Sequence, residues 1–224
     1  MQKKYKRVFS INNDLGYRNY TVRDLINLKG KKKITQVRVT TAQEAAAAEE
    51  AGIDLLLTGP GKDFPAIRKA ASKTFITVGV PFIENPSIKE ATKKAFEVIE
   101  AGADSLMCQN WNLDWMKHLS KFRIPFQSHV GFIPRRTTWI GGIRSFGKTA
   151  NEALELFKDV KDIEATGAWG IELECVPEDL VEELSSKTNM LTISIGSGKK
   201  SDVQFLLNVF SEEILDFLHH LQIL

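Results

Sequence analysis

Apolar and polar residues alternate with two different periods along this chain. In three stretches a polar segment with helical spacing runs to a glycine and then changes into a short apolar segment: residues 41–59, 87–109 and 149–176. In the third stretch, Leu156, Val160 and Ile163 recur three and four positions apart, which is typical of one face of a helix. The glycines suit the left-handed residue that ends a helix. We therefore interpret each stretch as a helix followed by a strand.

Each of these repeats begins with a hydroxyl residue that has a glutamate three positions later: Thr41 and Glu44, Ser87 and Glu90, Thr149 and Glu152. This is the capping-box pattern, in which the hydroxyl accepts hydrogen bonds from the first backbone N–H groups and the glutamate reaches back. The third box overlaps GIRSFGKT (142–149), which also fits the nucleotide-binding pattern G-x-x-x-x-G-K-[ST]. A phosphate loop should follow a buried strand, whereas RRTTWI is polar and basic. We predict that Thr149 caps a helix and that the match is accidental.

Four further apolar segments are predicted to be strands: ITQVRVT (34–40), TFITVGVPF (74–82), PFQSHVG (125–131) and LTISIGSG (191–198). Strands that alternate with helices indicate a parallel sheet with the helices outside it. With an eighth strand in the C-terminal part, the prediction is a single-domain (β/α)₈ TIM barrel over residues 1–224, and a doubly wound open sheet is the alternative. Residues 1–20 form an N-terminal extension, and 211–224 a C-terminal helix.

The composition is that of an ordinary globular protein, with 43% hydrophobic and 26% charged residues. A formal net charge of +2 gives no electrostatic reason to expect a nucleic-acid partner. No apolar segment has the length of a signal peptide core or a membrane span, so we expect no membrane partner. Cys108 and Cys175 form no metal-ligand pair in sequence, and the expected location is cytoplasmic.

Four motifs in this order resemble the ketopantoate hydroxymethyltransferase family: SHVGFIPR (128–135), GGIRSFGKT (141–149), IELECVP (171–177) and TISIGSG (192–198). The resemblance extends from about residue 21 to 210. It implies a TIM barrel of the phosphoenolpyruvate-mutase-like group, homo-oligomers and a role like that in pantothenate biosynthesis. It also implies transfer of a hydroxymethyl group from methylenetetrahydrofolate to 2-oxoisovalerate, with Mg²⁺ holding the keto acid. Glu174 matches the family's catalytic base, and His129 matches its site histidine.

The resemblance fails at the positions of the metal site. Pro60 and Gly61 stand where the family has an aspartate and a serine, and Gly79 where it has a second aspartate. Met107 stands in place of a substrate-binding lysine and Gln109 in place of a metal-associated glutamate. Because Mg²⁺ prefers carboxylate and other oxygen ligands, we predict no metal at this site and name no cofactor beyond those the family implies.

Polar residues also occur where the family has none. Gln36, Arg38 and Thr40 share one face of a strand, although a strand covered on both sides should be apolar. Arg38 is predicted either to bind the carboxylate of a small-molecule substrate through two parallel hydrogen bonds or to form an internal ion pair with Glu172 or Glu174. Both alternatives remain open.

Glu172 and Glu174 share a face of another strand, and two nearby carboxylates raise the pKa of one of them. We assign Glu174 as the catalytic base. Glu172, Gln109 and His129 complete the predicted substrate-binding set with Arg38. The simpler interpretations are that Glu172 only pairs with Arg38 and that His129 is a hydrogen-bonded core residue.

Three functions fit these residues. The first is a divergent, metal-independent enzyme of the transferase or lyase type, which makes or breaks a carbon–carbon bond of a small 2-oxo acid through an enolate. The second is the family reaction itself with a relocated metal. The third is a non-catalytic barrel that binds a ligand or serves as a scaffold, because fold alone does not imply function.

Overall fold

A computed structural model describes residues 5–80, 87–108 and 112–207 of this protein. Its centre is a closed barrel of eight parallel strands, in which the last strand pairs with the first. The strands are β3 (Ile34–Arg38), β4 (Leu55–Thr58), β5 (Phe75–Gly79), β6 (Ser105–Met107), β7 (Phe126–Gly131), β8 (Gly170–Glu174), β9 (Leu191–Ile195) and β10 (Val203–Leu206). The predicted barrel is confirmed, its eighth strand lies in the C-terminal part, and the open-sheet alternative is wrong.

Helices alternate with these strands and cover the barrel. They are α1 (Val22–Leu28), α2 (Ala42–Glu50), α3 (Phe64–Ala70), α4 (Ile88–Glu100), α5 (Leu113–Lys121), α6 (Thr137–Ile140), α7 (Ala150–Glu164) and α8 (Glu178–Lys187). A 3₁₀ turn, Pro134–Arg136, precedes α6. Among the described residues no helix is both long enough and apolar enough to cross a membrane. The predicted C-terminal helix 211–224 lies outside the described residues.

The N-terminal extension has a structure that the sequence did not reveal. Two short antiparallel strands, β1 (Lys6–Phe9) and β2 (Leu15–Arg18), form a hairpin in which Phe9 lies opposite Leu15. After the hairpin, α1 packs its buried Leu25 with the apolar residues inside the barrel.

The predicted helix caps are present, with one difference in detail. Thr41 and Ser87 form complete capping boxes with Glu44 and Glu90. Thr149 accepts a hydrogen bond from the backbone N–H of Glu152 at 3.3 Å and so caps α7.

The Glu152 carboxylate accepts instead from the N–H groups of Gly147 and Lys148, at 3.0 and 3.1 Å. These are two of the amides that would bind phosphate in a nucleotide-binding loop, and the segment before them contains a 3₁₀ turn and the short α6 rather than a strand. The segment therefore lacks the strand that precedes a phosphate-binding loop, and Thr149 caps α7 as predicted.

An apolar cluster fills much of the barrel interior and reaches the N-terminal ends of the strands. It includes Ile34, Leu55, Phe75, Trp169, Leu191, Ile193, Val203 and Phe205. A separate and larger apolar cluster lies between the strands and the surrounding helices. Polar side chains also occur among these apolar residues. By register Gln36 lies opposite Leu55 and Phe205, and Glu172 lies opposite Ile193. The Nε1 group of Trp169 donates to the buried Ser105 hydroxyl at 2.7 Å.

Three aspartates tie the strands together at the lower end. Asp54, Asp104 and Asp202 each immediately precede a strand, and each accepts a hydrogen bond from a backbone N–H near the start of the preceding strand in sequence. Each also contacts a cationic side chain: Lys32 for Asp54, Arg18 and Arg68 for Asp104, and Lys29 for Asp202. This arrangement fixes the register of neighbouring strands.

Candidate active site

Five polar side chains lie at buried positions on the inner faces of three barrel strands. They are Gln36 on β3, Gln127 and His129 on β7, and Glu172 and Glu174 on β8. Side chains of a strand alternate between its two faces, so residues two apart point the same way. The register places His129 opposite Glu172, and Gly131 opposite Glu174. The group therefore forms two levels, with Glu174 nearer the barrel mouth than Glu172.

His129 and Glu174 form an ion pair near the mouth of the barrel. The Nε2 atom of His129 lies 2.9 Å from Oε2 of Glu174, and each side chain is 10% exposed. Burial alone would lower the pKa of His129, but the contact with Glu174 and the charge of Glu172 raise it above its ordinary value.

Glu172 lies deeper and is held by two glutamine side chains. Its Oε1 atom accepts hydrogen bonds from Nε2 of Gln127 at 2.7 Å and from Nε2 of Gln36 at 3.3 Å. Burial and the charge of Glu174 raise the pKa of Glu172 to about 7, although His129 and the two amides act in the opposite direction. Glu172 is 2% exposed, so it does not face solvent directly.

Arg38 is not the internal partner of either glutamate. It is the last residue of β3 and is exposed, and within the described part of the chain it forms no ion pair. The predicted internal ion pair is therefore wrong, because the strand reaches the open mouth of the barrel before Arg38 is covered. The nearby Thr40 binds the Glu44 carboxylate at the start of α2 and does not line the site. Nothing in the structure tests the role of Arg38 in binding a substrate carboxylate.

The backbone around Glu174 is held by residues of three motifs. Phe132 N–H donates to the Glu174 carbonyl at 2.8 Å, and Gly131 has φ 88°. A Cβ atom at Gly131 would lie 2.4 Å from that carbonyl oxygen, so only glycine allows β7 to approach β8 this closely. Cys175, directly after Glu174, also has a positive φ of 51°. Strained backbone of this kind often occurs at functional sites.

Ser197, in the loop after β9, also holds the backbone around Glu174 in place. Its hydroxyl donates to the Leu173 carbonyl and accepts from the Val176 N–H, both at 2.8 Å. This role of Ser197 was not predicted from the sequence, although Ser197 lies in TISIGSG, one of the motifs that carry the resemblance. Burial raises the pKa of the Cys175 thiol to about 11, and the charge of Glu174 acts in the same direction. The thiol is therefore protonated at neutral pH and is a poor nucleophile.

The side chains at the positions of the family's metal site are described in part. Within these ranges no three or more histidine, cysteine, aspartate or glutamate side chains are arranged to hold an ion, and this includes His129, Glu172 and Glu174. Pro60 and Gly61 lie in the loop after β4, where neither offers a side-chain oxygen. Gly79 ends β5 and Met107 ends β6. Gln109, the remaining predicted site residue, lies outside the described ranges.

A family model described as ketopantoate hydroxymethyltransferase matches residues 62–220. A 3-methyl-2-oxobutanoate hydroxymethyltransferase from Kosmotoga olearia is 32% identical over 209 residues, which are 83% of this chain and 78% of that protein. The protein of the same name from Staphylothermus marinus is 29% identical over 210 residues, 84% of this chain and 78% of its own length.

Solved structures with little sequence similarity share the fold. A putative phosphonomutase from Burkholderia cenocepacia has a TM-score of 0.66 at 10% identity, over 91% of this chain and 98% of its own. 2,3-Dimethylmalate lyase, described as a member of the PEP mutase/isocitrate lyase superfamily, has a TM-score of 0.64 at 8% identity, over 90% and 84%. At such identities the similarity concerns the barrel alone.

Proposed function

Because this chain belongs to the ketopantoate hydroxymethyltransferase family, we propose that it is a transferase or lyase that acts on a small 2-oxo acid through an enolate. The observation that carries the proposal is the His129–Glu174 pair, 2.9 Å apart at the C-terminal ends of adjacent barrel strands. In barrels of this type the reactive groups lie at that end. The family supports the reaction class, and the site residues support the mechanism below.

Glu174 is the proposed base. It removes a proton from the carbon next to the substrate's keto group, so that the C–H bond breaks and the proton moves to the carboxylate. The electron pair of that C–H bond forms the new carbon–carbon double bond, and the π pair of the carbonyl group moves onto the keto oxygen, which becomes the enolate oxygen. The enolate carbon then attacks an electrophile, or in the reverse direction forms when a carbon–carbon bond breaks. A positioned base of this kind typically contributes ~10²–10⁴-fold to a rate.

His129 is the proposed donor that stabilises the charge. Its raised pKa favours the imidazolium form. A cationic hydrogen-bond donor in a site that excludes water stabilises a developing oxyanion more than it would in bulk water. The ion pair with Glu174 keeps the ring in place before the substrate arrives. The pair therefore supplies the base and the stabilising charge from two adjacent strands.

Arg38 is the proposed anchor for the substrate carboxylate. Its guanidinium is exposed at the end of β3 and forms no ion pair with a carboxylate of the described residues, although its charge contributes to the lowered pKa of Glu44. A guanidinium can grip a carboxylate through two parallel hydrogen bonds. The substrate would then lie across the mouth, with its carboxylate toward β3 and its keto group toward β7 and β8.

We propose that this reaction proceeds without the magnesium site of the family. Mg²⁺ requires oxygen ligands in a near-octahedral arrangement. Pro60, Gly61 and Gly79 provide no side-chain oxygen, and the described residues contain no alternative cluster. The residues described at this site therefore do not fit the ion, and the cationic groups of His129 and Arg38 take over the neutralisation of the substrate's charge.

Isothermal titration calorimetry with 2-oxoisovalerate tests the binding step. With EDTA present the protein should bind the acid, and Arg38→Ala should weaken binding by about tenfold or more, since a charge-assisted hydrogen bond contributes ~1.5–3 kcal/mol. Arg23→Ala is a matched control, because Arg23 is exposed on α1 at the other end of the barrel. Binding only with added Mg²⁺ would favour the family reaction with a relocated metal. No binding in either condition would favour a non-catalytic barrel.

A further inference from the structure

Three polar side chains meet inside the barrel, one level below the His129–Glu174 pair. Gln36, Gln127 and Glu172 are 1%, 0% and 2% exposed. They come from strands β3, β7 and β8, and both amide nitrogens bind the same carboxylate oxygen, Glu172 Oε1. We call these three residues the interior triad. A buried carboxyl group at this depth requires such partners, because an isolated one would be strongly destabilising.

The two glutamines can hold either protonation state of Glu172. In the arrangement described, their nitrogens donate to a carboxylate, and neither of their Oε1 oxygens accepts a hydrogen bond from a described residue. A side-chain amide has a donor end and an acceptor end that exchange places when it turns by half a rotation. One glutamine turned in this way would accept the O–H of a protonated Glu172. The triad thus retains its hydrogen bonds whether Glu172 is charged or neutral.

The ionisable groups near Glu172 are few. His129 on β7 is directly opposite, and Glu174 lies two residues further along β8. On its other side β9 presents Ile193, which is apolar and fully buried. Across the barrel β3 presents Gln36, and the charge of Arg38 lies beyond it at the exposed end of the strand. The ionisable side chains nearest to Glu172 are therefore His129 and Glu174.

We propose that Glu172 is a positioning residue that holds a proton beneath the site and thereby sets the charge of the His129–Glu174 pair. It does not contact the substrate. When Glu172 is ionised, two carboxylates face His129 and favour the imidazolium. When Glu172 is protonated, one of those charges is gone. The effect on His129 is a property of the protein alone, and only its use in catalysis rests on the proposed function.

Electrostatics supports this assignment. Burial raises the pKa of Glu172 to about 7, so both forms are populated near neutral pH. The charges of His129 and Glu172 each shift the pKa of the other, upward for His129 and downward for Glu172. A coupled pair of this kind titrates as a unit rather than as two independent groups.

Proton NMR titration of the imidazole of His129 tests the proposal without any substrate. The resonance is assigned by its loss in His129→Asn. In Glu172→Gln the midpoint of the His129 titration should move to lower pH, because the amide keeps the shape of the side chain and removes its charge. Glu182→Gln is the control, since Glu182 lies exposed on α8 and pairs with Lys200, and it should leave the midpoint unchanged. A Glu172→Gln midpoint equal to that of the wild type would overturn the proposal.

A second measurement needs no variant and remains decisive if Glu172→Gln does not fold. In wild-type protein with ¹³C-labelled glutamate carboxyl groups, one buried carboxyl should titrate with a midpoint of about 7. The absence of any carboxyl titration between roughly pH 5 and 9 would contradict a proton-holding Glu172, since an ordinary glutamate titrates near 4.3. Either negative result leaves the proposed enolate chemistry of Glu174 intact, so the two proposals fail separately.

Discussion

The two ends of the barrel bury carboxylates in opposite ways. At the lower end Asp54, Asp104 and Asp202 each receive backbone N–H bonds and the charge of a lysine or arginine. At the upper end Glu172 receives two neutral amides, and Glu174 faces a histidine. The lower carboxylates are surrounded by donors that favour the charged form. Glu172 and Glu174, in contrast, lie two residues apart on β8 and close to each other.

The directions of the pKa shifts follow from this difference. Burial would raise the pKa of Asp202, but hydrogen bonds from the backbone of Thr192 and Gly30 and the charge of Lys29 bring it below its ordinary value. For Glu172 burial prevails and the pKa is raised. A carboxylate that has all its hydrogen-bond and charge partners stabilises the fold. A carboxyl group whose pKa lies near neutral pH can instead exchange protons. In barrels of this class stability and chemistry are commonly divided between the two ends in this manner.

The largest expected effect comes from breaking the lower end. Asp104→Asn removes the charge that Arg18 and Arg68 contact at 2.6 and 2.9 Å. Because it leaves two largely buried guanidinium groups without their counter-charge, we expect a loss of about 3 kcal/mol in the free energy of unfolding. Urea denaturation measures this loss. Asp63→Asn is the control, since Asp63 is exposed and makes no capping hydrogen bond. Equal stability of the two variants would show that the lower carboxylates do not hold the strands together.

At the upper end, Glu172→Gln should instead increase the free energy of unfolding. A group whose pKa is higher in the folded than in the unfolded protein destabilises the fold as it ionises, so its cost is absent below about pH 4.5 and complete above pH 7. The variant should therefore be more stable than the wild type by about 2 kcal/mol at pH 8. At pH 4 the difference should nearly vanish. Denaturation at both pH values measures it, and a variant less stable at pH 8 would contradict the account.

Gln127→Met isolates the contribution of one amide donor. The amide lowers the pKa of Glu172 by binding its carboxylate, so its removal should raise that pKa further. The free energy of unfolding at pH 8 should fall by about 1 kcal/mol, the usual net value of a hydrogen bond. The loss should be smaller at pH 5, where Glu172 is protonated. A loss that does not depend on pH would indicate that Gln127 acts through packing alone.

Arg38→Ala is expected to have the smallest effect on stability. Its side chain is exposed and is not paired with a carboxylate of the described residues, so the free energy of unfolding should change by less than about 0.5 kcal/mol. The same variant should weaken binding of 2-oxo acids. A large loss of stability would instead assign Arg38 to the framework of the barrel and remove it from the site.

Periodicity and caps were enough to predict the barrel, since each repeat carries its own helix signal and strand signal. Glu174 and His129 could also be found, because they lie in motifs that recur in order along a known family. The contact between Gln36 and Glu172 could not be predicted in this way. Gln36 and Glu172 are 136 residues apart in sequence and meet only when the barrel closes. Local patterns contain no information about such contacts.

The β1–β2 hairpin and the exposure of Arg38 were not predicted from the sequence, for two different physical reasons. The β1–β2 hairpin has strands of four residues, KRVF and LGYR, too short and too polar to stand out by alternation. The exposure of Arg38 depends on where β3 ends relative to the barrel mouth, and strand ends are poorly defined by sequence. Glu172, by contrast, was correctly placed on the inner face with Glu174 but was given the wrong partner.

The central claim is that protein side chains, and no divalent metal, form the enolate. Loss of the C3 proton of 2-oxoisovalerate in D₂O, followed by NMR with EDTA in excess, tests this directly and needs no one-carbon donor. The account predicts that the wild type accelerates the exchange and that Glu174→Gln slows it by ~10²-fold or more, as expected for loss of a general base. Exchange that occurs only after Mg²⁺ is added, or that is equally fast in Glu174→Gln, would contradict the claim.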